Sequence, residues 1–114
     1  MDEKDLRNVV NLLLKQYPER NVKEVEEHTA WHVQNVKEYC FVVEDKGEIK
    51  GILILHPHKS IKRIKEEYTS VLELEEIYAV NKEVKKLLVK RLQEISENFE
   101  YLLLETDLLR VILS

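Results

Sequence analysis

A chain of 114 residues with a formal net charge of −4, 44% hydrophobic and 35% charged, is long enough to close one modest core and too short for two domains. Forty residues are Leu, Ile, Val or Phe, which excludes intrinsic disorder. A single Cys and two Gly exclude an internal disulfide framework, a four-cysteine zinc site and glycine-rich phosphate loops of the Walker or Rossmann type.

The start, Met1-Asp2-Glu3-Lys4, has no apolar segment, and the longest apolar runs are four or five residues. Neither a secretory leader nor a membrane span is expected, and with one Cys the expected localisation is cytoplasmic. Eighteen Glu and thirteen Lys stand against two Ala, a bias that proteins from hot environments share and that an A+T-rich genome also produces.

Residues 2–17 read as a helix: Leu6, Val9, Val10, Leu13 and Tyr17 recur at helical spacing, Asp2 is a candidate N-cap and Pro18 follows. Residues 22–38 read as a second helix, with Asn21 as N-cap, Glu24 three positions on, and a stripe of Val22, Val25, Thr29, Val33, Val36 and Cys40. The period then changes. Residues 39–43 and 49–55 are β-branched and aromatic runs flanking Asp45-Lys46-Gly47-Glu48, a β-hairpin signal. Ile52 to Leu55 is apolar on both parities, as expected of a central strand covered on both faces.

His56-Pro57-His58 is expected to break that strand, and residues 59–68 to form a connector with one short helix. Residues 71–80 read as a third strand, in which Glu75-Glu76 followed by Ile77 disturbs the alternation and predicts a bulge. Asn81 caps a helix predicted to run to about Phe99, with the stripe Val84, Leu87, Leu88, Leu92, Ile95 and Phe99. Residues 101–104 are a fourth strand, and residues 107–114 are read as a further strand rather than a helix. The expectation is one α+β domain over residues 1–114, with a mixed, mainly antiparallel sheet of four or five strands flanked by three helices, in the order ααββ-β-αβ(β).

This order and two of its segments resemble the GNAT N-acetyltransferase superfamily. The stretch from Phe41 to Ile54 is similar to that family's central hairpin, an apolar strand, an acidic glycine turn, then I-x-G and another apolar strand. The stretch from Leu72 to Val80 resembles its fourth strand, which leads into the acetyl-CoA-binding helix. The resemblance spans roughly residues 2–106. It implies acetyl-CoA as cofactor, a carboxylate base on the fourth strand (Glu75 or Glu76), backbone contacts to the cofactor arm near Tyr78 and Val80, and a phosphate contact from Lys85. The family's V-x-P-x-x-R-x-x-G-x-G/A signature departs here: Val80 and basic Lys85 match, but Lys82 stands for Pro, and Leu88 and Lys90 stand for the glycines. Glycines let a helix N-terminus approach a pyrophosphate, so the resemblance implies a degenerate member whose cofactor site is lost. It also implies a shortened one, without the leading strand, the helix after the fifth family strand and the last hairpin.

Read from their own pattern, Glu73, Glu75 and Glu76 suit either general-base work or an ordinary solvated strand face. His28 and His32, four apart on a helix in line with Glu24, are a candidate pair for zinc or nickel, and His56 and His58 share one side of an extended segment. Trp31 falls about 160° from the centre of its helix's apolar stripe, by 100° per residue, and is a candidate interface residue. Basic residues at 59–65 and on the long helix (Lys85, Lys86, Lys90, Arg91) suit phosphate contacts or a solvated face; nucleic acid is not an expected partner at this net charge. Three functions remain. The first is a non-catalytic GNAT-like interaction module, a homodimer or a partner-binding protein, needing no cofactor. The second is a reduced acetyl-CoA-dependent N-acetyltransferase, and the third a small metal- or phosphate-binding protein.

Overall fold

In the computed structural model, which describes residues 1–64 and 67–114 and the side chains of 1–58 and 70–114, the apolar stripes become α1 (Leu6–Gln16) and α2 (Val22–Asn35). The alternating runs become β1 (Cys40–Asp45), β2 (Glu48–Ile64) and β3 (Glu67–Ala79). Then follow α3 (Lys82–Ser96), β4 (Tyr101–Leu103) and α4 (Thr106–Leu113). The sheet order is β1-β2-β3-β4, antiparallel except for the parallel β3–β4 pair. This is the expected mixed α+β class, with four helices in place of three.

Two glycines explain the hairpin and the helix seat. Asp45 pairs with Glu48, so Lys46 and Gly47 form a two-residue turn. Both have positive φ, 52° and 79°, the turn whose twist matches the flanking strands. At Gly51 an added Cβ would lie 2.6 Å from Val84 Cγ1 and 3.1 Å from Leu88 Cδ1. That glycine lets α3 lie directly on β2.

The sheet is covered on both faces. On one side Val9, Val10, Leu13 and Val25 of α1 and α2 pack on Ile49, Ile52 and Ile54. On the other, Val84, Leu88 and Leu92 of α3 and Leu108 of α4 pack on Leu53, Leu55, Leu72, Leu74 and Ile77. Alternate residues of β2 thus enter opposite cores, which is why Ile52 to Leu55 is apolar on both parities. Among the described residues no helix is long and apolar enough to cross a membrane.

Four expectations are corrected. His56-Pro57-His58 does not end β2: Pro57 pairs in register with Leu72 and His58 with Val71. The last β1 partner of β2 is Cys40, opposite Ile54, so from Leu55 onward one side of β2 is an edge, where a residue without an N–H is tolerated. The connector helix is replaced by strand, with Arg63 paired to Tyr68 and Ile64 to Glu67. Of that predicted segment, residues 65 and 66, and the side chains of the basic run 59–65, lie outside what is described. The third helix ends at Ser96, short of Phe99. Finally, residues 107–114 are not a strand: α4 starts after Glu105 and buries Leu108.

The predicted bulge is present. Ile54 pairs with Glu76 and Leu55 with Leu74, leaving Glu75 as the extra residue of β3. Leu74 and Ile77 both belong to the α3-side core, so the intervening pair, Glu75 and Glu76, is carried together onto the face covered by α1 and α2.

Candidate functional site

The bulge faces a cavity of about 690 Å³ between the end of α1, α2, β3 and the start of α4, lined by Arg20, His28, Thr29, Glu75, Glu76 and Leu108 among others. It opens beside the place where the sheet parts. The pairing of β3 with β4 runs from Val71–Tyr101 to Glu73–Leu103 and stops there, so beyond Glu73 that edge of β3 is free of β4.

Glu76 is 5% exposed. Its Oε1 accepts from the Arg20 guanidinium, while Oε2 and the Thr29 hydroxyl, both buried, have no hydrogen-bond partner among the described residues. Burial pushes the Glu76 carboxyl above its ordinary value, against the opposing pull of Arg20. Glu75 behaves oppositely. Its Oε2 lies 3.1 Å from His28 Nε2, and that hydrogen bond holds Glu75 below, and His28 above, their ordinary values. Two adjacent carboxylates of one bulge thus have their affinities for protons pushed apart.

The histidines gather on the same face. His32 is buried at 3% exposure; its Nδ1 donates to the His28 carbonyl at 2.7 Å, and its Nε2 lies 2.9 Å from His56 Nδ1. Burial lowers both His32 and His56 from their ordinary values, leaving them neutral near pH 7. His56 and His58 do share one side of β2, with ring centroids 4.3 Å apart, and His58 Nε2 lies 2.8 Å from Glu73. Trp31 is 45% exposed. It stacks flat on His56, 5.1 Å between centroids at 1°, and meets His32 edge-on. The ring beneath Trp31 is therefore a histidine of β2.

The other end of β3 differs. The Val80 N–H donates to Lys50 O at 3.0 Å, and strand alternation aims the Tyr78 backbone at β2 as well. The amides left for the open side are those of Ile77 and Ala79. Only Val80 and Asn81 separate β3 from α3, and the Asn81 side chain accepts the Val84 N–H at 2.9 Å. Leu88, at the position of a family glycine, is 2% exposed in the core. A glycine there opens a hole under α3, not a phosphate cradle. Lys85 donates to the Ser114 carbonyl and lines a 450 Å³ groove with Lys82, Lys86, Lys90 and Ile112. These residues do not fit a pyrophosphate held in the family manner, because the Asn81 side chain takes the Val84 amide, the strand-to-helix turn is only two residues long, and Leu88 and Lys90 stand where the family has glycines.

Sequence reasoning missed Arg20, Thr29 and the convergence of His56 with α2. Arg20 carried a signal: it is the only cation in the turn between α1 and α2. Glu24 lines the cavity but makes no contact with the histidines through its side chain among the described hydrogen bonds and ion pairs.

No protein-family model matches the chain, and no curated protein matches it in sequence. Solved structures do match. A probable acetyltransferase superposes with a TM-score of 0.67 at 12% identity, over 93% of this chain and 76% of that one. A ribosomal-protein-alanine N-acetyltransferase from Brucella melitensis biovar Abortus gives 0.64 at 15%, over 93% and 77%. An aminoglycoside N-acetyltransferase in complex with CoA gives 0.65 at 16%, over 93% and 73%. The fold of this chain is that of the GNAT acetyltransferases.

Proposed function

We propose that this GNAT-fold chain is a non-catalytic interaction module that works as a homodimer. The carrying observation is the β3–α3 turn. Its Val80 N–H is committed to Lys50, and the Asn81 side chain occupies the helix N-terminus where an anion would bind. An incoming pyrophosphate would have to displace a cap worth about 1 kcal/mol and would still find no glycine to approach. Support for the dimer comes from the sheet edge. Tyr101, Leu102 and Leu103 of β4 are all exposed, Tyr101 at 62% and Leu103 at 54%, and one side of the strand has no neighbouring strand among the described residues. An apolar, unpaired edge pairs readily with another strand, and Trp31 adds an exposed aromatic suited to a contact.

Acetyl-CoA titration followed by Trp31 fluorescence and thermal shift tests the first half. The expected result is no saturation below millimolar concentration; micromolar binding overturns the reading. Light scattering tests the second: a dimer is expected, reduced to monomer by Leu103→Lys, and a monomer at high concentration overturns it.

One observation favours the second reading, a reduced N-acetyltransferase using acetyl-CoA. The strands part beside a cavity rich in carboxylates, which suits a cationic amine, and Glu75 or Glu76 would take its proton. In that reading Lys85 supplies the phosphate contact. Micromolar acetyl-CoA affinity would move the assignment there.

A further inference from the structure

Three segments far apart in sequence bring nitrogen and oxygen donors to one point. On α2, the four-residue interval sets His28 and His32 on successive turns of one side, with ring centroids 4.3 Å apart. On β2, His56 lies just past the last residue that β1 pairs with. On β3, the bulge turns Glu75 toward both. One ligand atom from each of His28, His32 and Glu75 falls within 4.8 Å of the others, and His56 Nδ1 is 2.9 Å from His32 Nε2.

We propose that His28 Nε2, His32 Nε2, His56 Nδ1 and the Glu75 carboxylate form a binding site for one divalent transition-metal ion of the zinc class. At Zn–N distances of about 2.0–2.1 Å, neighbouring ligands of a tetrahedral ion lie about 3.3 Å apart. Four of the six separations bracket that value: 2.9 Å for His32 Nε2 to His56 Nδ1, 3.1 Å for His28 Nε2 to Glu75 Oε2, and 3.9 Å from the other carboxylate oxygen, Oε1, to each of His32 Nε2 and His56 Nδ1. An ion at the centre opens the short edges and closes the 3.9 Å ones by less than about 1 Å each, while His56, outside the set of His28, His32 and Glu75 whose ligand atoms all lie within 4.8 Å of one another, has farther to move. Three imidazoles and one carboxylate suit zinc, with nickel and copper as competitors, and do not suit magnesium or calcium.

Two further features separate this cluster from a chance hydrogen-bonded network. The Nδ1–H of His32 is anchored on the His28 carbonyl, so in the neutral ring the lone pair sits on Nε2, the atom that faces the cluster. Such an outer hydrogen bond is how metal-bound histidines are held in the correct tautomer. Glu75 Oε1 is 3.9 Å from two imidazole nitrogens, too far for a hydrogen bond to either, yet near enough for both distances to close on a shared ion. The stacked Trp31 ring covers the His56 side, while His28 and Glu75 line the cavity, which gives the ion its path from solvent.

The test strips the full chain with a chelator and titrates Zn²⁺ by calorimetry, with Co²⁺ as a spectroscopic probe. One Zn²⁺ per chain is expected, with a rise in Tm on the order of 10 °C at a hundredfold excess over Kd. Co²⁺ should show the intense visible bands of a tetrahedral site and quench Trp31. His28→Ala and Glu75→Gln, both at partly exposed positions, should weaken binding by more than about a hundredfold, beyond the loss of an outer-shell partner. His58→Ala should leave it unchanged. Absence of saturable binding overturns the site. So does binding that survives both ligand variants, or that His58→Ala abolishes.

Discussion

The bulge and the C-terminal end of β3 lie only a few residues apart and are used in opposite ways. At the bulge the backbone leaves its pairing with β4, two carboxylates turn to one face, and Glu76 keeps a buried oxygen without a partner among the described residues. At the end after Ala79, Val80 and Asn81 hand their polar groups to Lys50 and Val84, and Leu88 fills the space behind them. The same strand therefore carries an open polar wall and a sealed apolar seat. Function in a shared fold resides in such local sites rather than in the fold itself.

The largest expected effect lies at the sealed end. Leu88→Gly removes a core side chain and places glycine within a helix, and should destabilise the chain by about 4 kcal/mol in urea denaturation. It should confer no acetyl-CoA affinity; a stable variant that binds the cofactor would erase the contrast between the two ends.

At the open end, Arg20→Ala leaves the Glu76 carboxylate without its partner and should cost about 2 kcal/mol at neutral pH. The penalty should shrink in acid, where Glu76 is neutral. The native state holds the Glu76 proton more tightly than the unfolded chain, so stability should fall as pH rises above the ordinary value of 4.5. Glu76→Gln should remove that slope. A slope unchanged in the Gln variant would mean that Glu76 is not the group responsible.

The smallest effect should come from Asn81→Ala, which loses one helix cap and about 1 kcal/mol, read as a lower denaturation midpoint with an unchanged m-value. A loss near zero would show that the Asn81 side chain is not holding the helix end, and would reopen that end to anions.

The elements whose signals are local were legible in the sequence. The Lys46-Gly47 turn, the Asn21 and Asn81 caps, and the apolar stripes of α1, α2 and α3 each follow from neighbours within one turn or one strand. Even the bulge was visible, because Glu75-Glu76 interrupts a period of two. Pro57 misled because its tolerance depends on where β1 stops pairing, a fact held by residues near Cys40. The α4 segment misled because a short apolar run fits strand and helix alike, and burial of Leu108 against the sheet decides between them. Of the site, the His28–His32 spacing and the two carboxylates could be read. Their convergence with His56 and Arg20 could not, since it rests on the packing of α2 and the α1–α2 turn across β2 and β3.

The short β4 has a kinetic consequence. Its three register pairs join residues thirty positions apart, Val71 with Tyr101 through Glu73 with Leu103, whereas β2 and β3 form a hairpin of neighbouring segments. Closing that long loop is expected late in folding, and a three-residue edge is expected to open before the longer strands in the native state. Amide exchange in β4 should therefore run ahead of the rest of the sheet. If a second copy pairs along that edge, its protection should rise with protein concentration while that of β1 and β2 stays constant.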